Sequence, residues 1–168
     1  MALPAAAALQ SSTASRRGVR VEFYRRGDRF GHTIFVVDGE ARQPLLCSCE
    51  GADDEIAPPS PPLAELHQQG DILFLTGATT LAHWSMSVEA LGNRLVFDVA
   101  CRWKSEVTRL GSEYLVLDTV YREALDFKLE QATLHELVSD LLRIAPSARK
   151  PTTIPATVQW QYTIASKA

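Results

Sequence analysis

The sequence predicts an α+β protein dominated by antiparallel β-sheet. Roughly seven to nine strands are expected, strongly coiled or partly closed into a barrel, with one capped helix near 134–145 and one or two shorter helices. Three observations carry this expectation. Val19, Val21 and Phe23 alternate with Arg20, Glu22 and Tyr24, the period-two signature of a half-buried strand. Asp38-Gly39 and Gly92-Asn93 stand between apolar runs, and these residue types tolerate the positive φ of a tight hairpin. No helical pattern separates the strands regularly, so parallel βαβ units are not expected.

Residues 1–17, rich in alanine and serine, read as a tail in which Pro4 suits the first turn of a short helix. A single β-rich domain then spans 18–168. Its first strand runs from Gly18 to a turn at Arg26-Gly27-Asp28-Arg29, its second from His32 to Val37, and its third from Pro44 to Cys49. Four prolines and four acids from Glu50 to Pro62 predict an exposed acidic loop, since proline cannot donate to a ladder. Ser60-Pro61 opens a short helix that Gly70 ends. Strand character returns over Asp71–Thr76, Ala82–Leu91, Arg94–Trp103 and Tyr114–Tyr121. Leu125, Phe127 and Leu129 alternate as in a strand. Thr133 and Glu136 form a capping box ahead of Leu134, Leu137, Val138, Leu141 and Leu142 at helical spacing, which predicts the principal helix. The chain ends in a strand, where Val158, Trp160, Tyr162 and Ile164 alternate with Thr157, Gln159, Gln161 and Thr163.

Composition narrows the function classes. A chain of 168 residues, 46% hydrophobic and 22% charged, can bury one ordinary core without a metal or disulfide. A net charge of −3 argues against nucleic acid as a partner. Arg16, Arg17, Arg20, Arg25, Arg26 and Arg29 nevertheless crowd one segment, and Glu50, Asp53, Asp54 and Glu55 another, so an acidic protein partner is one reading and a solvated strand rim the other. Three cysteines do not make a secreted disulfide framework, and the start lacks a basic region before its apolar run. No run reaches the ~18 apolar residues of a membrane span. A cytoplasmic protein with no membrane partner is the expectation.

The register of one hairpin can be counted out from Gly92-Asn93. Ala90 faces Leu95, Val88 faces Phe97, Met86 faces Val99 and Trp84 faces Cys101, which makes one side wholly apolar. The other side holds His83, Ser85, Ser87, Glu89, Asp98 and Arg102, and these six form the candidate ligand-binding set. A catalytic alternative takes Asp98 and Glu89 as a carboxylate pair about 8 Å apart, with His83 and Arg102 adding electrostatics. A Ser-His-Asp triad does not close, because His83 lies about 13 Å along the strand from the level of Ser87 and Asp98. His83 and Glu89, about 20 Å apart, cannot share a metal ion. Cys47 and Cys49 project to one side of a strand and could begin a thiolate and imidazole site with His32, although two packed thiols are the plainer reading. Trp84, Trp103 and Trp160 read as core.

These residues predict a non-catalytic domain that binds a small molecule or an acidic protein, with no metal and no cofactor. A small hydrolase-like enzyme on the 82–103 hairpin is the alternative from another class. A homodimeric scaffold is a third.

Overall fold

Alternation decides the first four strands. In the computed structural model, which describes residues 4–11, 16–51, 56–138, 140–148, 151 and 153–168, they are Ala7–Gln10 (β1), Arg17–Arg26 (β2), Arg29–Asp38 (β3) and Ala41–Ser48 (β4). They pair antiparallel in sequence order. A bulge at Ile34/Phe35 shifts the β3–β4 register, and both Leu45 and Leu46 lie fully buried opposite it.

A second set follows: Glu65–Gln69 (β5), Ile72–Ala78 (β6), Ala82–Leu91 (β7) and Arg94–Trp103 (β8). The β7–β8 bend is the predicted one. Leu91 pairs with Arg94, so Gly92-Asn93 is the whole loop, and Gly92 has φ 58° whereas Asn93 is not among the residues of positive φ. That combination is a type II′ turn, whose twist matches the flanking strands and which calls for glycine at its first central position. Gly27, Gly39 and Gly70 hold the same place in their hairpins. The β3–β4 loop is therefore Gly39-Glu40, one residue later than Asp38-Gly39.

The remaining elements are Ser112–Val116 (β9), a helical turn at Tyr121–Ala124 (α1), Leu125–Glu130 (β10), Ala132–Leu137 (β11), Leu141–Pro146 (β12) and Ala156–Ser166 (β13). Two antiparallel sheets result. The first has the order β1-β2-β3-β4-β9-β12-β11 and the second β10-β13-β8-β7-β6-β5. Their inner faces close over one apolar core, where β2 meets β8 and β13. Trp84, Met86, Val88, Phe97 and Val99 all lie in it, as do Trp103 and Trp160.

Several expectations are corrected. The mainly antiparallel sheet is present, but its strands form two sheets with separate edges, β1 and β11 in one and β10 and β5 in the other, and no hydrogen-bonded closure makes a barrel. The helix near 134–145 is the β11–β12 hairpin, with Leu137 opposite Leu141. Tertiary pairing overrides the helical spacing there: β12 completes the edge of β9 and thereby buries Leu142 and Ile144, whereas Leu137 and Val138, which a helix would have turned inward, are exposed. The supposed capping pair is used elsewhere, since Thr133 bonds His135 and Glu136 accepts from Tyr121 and Arg122.

Residues 7–10 of the predicted tail are a strand paired with β2, not a helix. The short helix before Gly70 is likewise strand β5. The strand expected over Tyr114–Tyr121 ends at Val116, and α1 begins at Tyr121. Asp53, Asp54 and Glu55 lie outside the described residues, but the proline run that follows them is buried instead of exposed at Pro58 and from Ser60 to Leu63. Proline leaves no N–H to satisfy, so such a run can cross between sheets without orphaned donors. Several of its polar groups are met: Glu113 N–H donates to the Pro59 carbonyl, Ser60 Oγ to the Glu113 carbonyl, and Phe30 N–H to the Leu63 carbonyl.

Candidate functional site

The outer face of the second sheet is a grid set by strand register. One row across it runs Ala78, His83, Arg102, Thr157. The next runs Glu65, Thr76, Ser85, Ala100, Gln159, and the next His67, Phe74, Ser87, Asp98, Gln161, Glu130. Alternation alone makes this side polar, because each strand sends its other residues into the core.

Side-chain size then gives it relief. Thr76, Ser85 and Ala100 are small residues side by side on three central strands, and the taller Phe74, Gln159 and Arg102 stand around them. Two adjoining hollows follow, of about 700 and about 230 Å³, which share the floor Thr76, Ser85 and Ala100. His83, Arg102, Glu65 and Thr157 line the larger; Phe74, Ser87, Asp98 and Gln159 line the smaller. At one corner Gly77 lets the chain cross closely, since a Cβ there would stand 1.8 Å from the Pro62 carbonyl oxygen.

Of the six candidate residues, five therefore line one trough, and Glu89 lines neither hollow, one row beyond Asp98. His83 and Arg102 are cross-strand partners, and among the described residues neither is in an ion pair. Partial burial pushes the Asp98 carboxyl up from its ordinary value. His83 and Asp98 stay two rows apart, about 13 Å along the strands, so no proton can pass directly between them.

The other proposals from the sequence separate in space. His32 points into the core and Cys47 to the outside of the first sheet, because the partner of Cys47 is Thr33 and not His32. They cannot share a metal ion. The Cys47 thiol instead touches Tyr24 Oη at 3.2 Å and Arg26 Nη2 at 3.5 Å. The arginines are also engaged: Arg20 and Arg42 pair with Glu22, Arg25 and Arg26 lie over Phe30 and Tyr24, and Arg29 donates to the Gly51 carbonyl.

Sequence reading missed the most perturbed groups. His32 Nε2 lies 2.9 Å from Tyr114 Oη, which lies 2.6 Å from Tyr162 Oη, and this polar chain bridges the sheets inside the core. Burial takes the imidazole down to about 3 and the Tyr162 phenol up to about 12. Phe23 and Phe97 flank the imidazole, with ring centroids at 4.9 and 5.9 Å. All three side chains are buried, and their hydrogen bonds pair polar groups within the sandwich. The only sequence signal was the inward parity of His32, Tyr114 and Tyr162 on three separate strands.

No family model, curated protein or solved structure matches this chain. Its function must be argued from the trough itself. Among the described residues no group of three or more His, Cys, Asp or Glu is placed to hold a metal ion, and no helix is long and apolar enough to cross a membrane.

Proposed function

We propose that this chain is a non-catalytic binding domain that takes a small polar ligand in the trough on its second sheet. The row Thr76, Ser85, Ala100 carries the reading: three small residues side by side leave space that hydroxyls, an amide, an imidazole and a guanidinium surround. Ser85, Ser87, Thr76 and Thr157 offer hydroxyls that both donate and accept. Arg102 and His83 sit at one end, across the larger hollow's lining from Glu65, and among the described residues neither is in an ion pair, which leaves the guanidinium able to receive an acidic group of the ligand. A few directed polar groups around a preformed hollow are what orient a small molecule. The carboxylates do not favour hydrolysis, because Asp98 and Glu89 do not face one cavity.

The test is a protein-observed NMR screen of the full chain with a mixture of small polar fragments, including hydroxy acids and amino sugars. Amide shifts should gather at Thr76, Gly77, His83, Ser85, Ala100 and Arg102. Ala100→Trp, which fills the floor from an outward-facing position, should abolish them. Shifts that map elsewhere, or that survive Ala100→Trp, would reject the reading.

A further inference from the structure

The outer face of the first sheet, on the opposite side of the sandwich from the trough, carries two thiols. Cys47 pairs with Leu115 near the end of β4, and two residues on the Cys49 N–H donates to the Glu113 carbonyl. The ladder spacing thus continues through Cys49, and alternation sends both side chains outward. Both are free and partly exposed, whereas Cys101 is fully buried in the core.

Their surroundings differ. Arg26 Nη2 is 3.5 Å and Tyr24 Oη 3.2 Å from the Cys47 sulfur, and the Arg26 guanidinium also lies over the Tyr24 ring, 5.1 Å from its centroid. A guanidinium can only donate, so here the sulfur accepts, and the cation meets the charge that a thiolate brings to a reaction. Tyr24 Oη is also hydrogen-bonded to Thr33 Oγ1. With Thr33 donating, the phenol's own proton is available to the sulfur. At Cys49, by contrast, burial and the charges of Glu113, Cys47 and Glu50 push the thiol up from its ordinary value, against a backbone hydrogen bond from Leu115. The nucleophile of the pair is Cys47.

Spacing decides what such a pair can do. Two steps along a strand put the Cα atoms about 6.6 Å apart, near the upper end of the ~4.4–6.8 Å that a disulfide bridges. A bond can form there, and its stretched geometry makes it easy to reduce. We infer that Cys47 and Cys49 are a reversible modification site for hydroperoxides, with Cys47 the attacking thiolate and Cys49 the resolving thiol. The Cys47 sulfur attacks one oxygen of hydrogen peroxide and the O–O bond breaks. The departing hydroxide takes the proton that Cys47 gave up, and Cys47 becomes a sulfenic acid. The Cys49 sulfur then attacks the Cys47 sulfur: the S–S bond forms, the S–O bond breaks, and hydroxide leaves as water with the Cys49 proton. Two thiols and one peroxide give one disulfide and two waters. Arg26 assists the first step, where negative charge passes from sulfur to oxygen.

Hydrogen peroxide added to the reduced full chain tests this, with alkylation and peptide mass as the readout. The product should be two hydrogens lighter, blocked at Cys47 and Cys49, alkylated at Cys101 after unfolding, and restored by dithiothreitol. Cys49→Ser should halt at a Cys47 sulfenic acid that dimedone traps, whereas Cys47→Ser should give no dimedone adduct at Cys49. Arg26→Met, at an exposed position, should slow Cys47 oxidation at least about threefold, the effect of one partly screened charge contact. Arg25→Met removes a guanidinium stacked on Phe30 instead and should leave the rate unchanged. No reaction with peroxide, equal rates in Arg26→Met and the unaltered chain, dimedone capture at Cys49 in place of Cys47, or a disulfide between two chains would each overturn the assignment.

Discussion

His32 shows how much a single placement can cost. Burial holds its imidazole neutral down to about 3, whereas in the unfolded chain it titrates near 6.5. The unfolded state therefore binds the extra proton between those limits, and the stability that neutral His32 allows is full above about pH 6.5 and lost as pH falls toward 3. The whole shift corresponds to about 4–5 kcal/mol. His32→Phe should flatten this dependence, and urea unfolding of both proteins at pH 7 and pH 4 measures it. Equal losses in the two proteins would show that His32 is not responsible. Asp98 works in the opposite sense: partial burial raises its carboxyl, so its charged form is disfavoured in the folded state at neutral pH. Asp98→Asn should leave Tm unchanged or slightly raised at pH 7, and a clear fall would mean that the carboxylate makes an attractive contact there.

At the level of elements, loops decide which strands can exist. The β7–β8 hairpin rests on Gly92 at φ 58°, a conformation that a β-branched residue enters only at a cost of about 1–2 kcal/mol. Gly92→Val should lower stability by that amount while preserving the register, readable by denaturant midpoint. The β11–β12 hairpin has a three-residue loop between Leu137 and Leu141 that ends on Asp140 at φ 61°. Asparagine and aspartate tolerate that region better than other non-glycine residues, yet glycine is better still. Asp140→Gly should therefore stabilise by about 0.5–1 kcal/mol, whereas the same change in a helix interior would destabilise by about as much. The sign of the measured change separates hairpin from helix. Gln131, at φ 55°, is the single residue between β10 in one sheet and β11 in the other, so here a bend replaces the loop.

Across the whole molecule, one face of the β7–β8 hairpin belongs to the core and the other to the trough. Phe97→Ala should cost about 3–5 kcal/mol, whereas Ser85→Ala, pointing outward one strand away, should stay within about 0.5 kcal/mol. Similar losses at the two sites would break the inside-outside assignment on which the trough depends. This much was legible in sequence, because period-two alternation and a glycine-first turn are local: together they set the pairing of Trp84 with Cys101 and of His83 with Arg102 and placed five trough residues on one face. The hollow itself was not legible, since Thr76 and Ala100 flank Ser85 only once β6, β7 and β8 lie side by side. Nor was the β11–β12 hairpin, because Leu134, Leu137, Leu141 and Leu142 suit a helix until the open edge of β9 offers hydrogen bonds and burial that an isolated helix cannot match. Arg143, distant along the chain from Arg109 and Glu113, likewise meets them only when the crossover folds over β12. By itself the sequence determined the strands, register and polar face of the β7–β8 hairpin, all properties of residues a few positions apart; the tertiary structure alone decided sheet order, cavities and whether the 134–145 segment is helix or hairpin, because these depend on backbone pairing between distant segments.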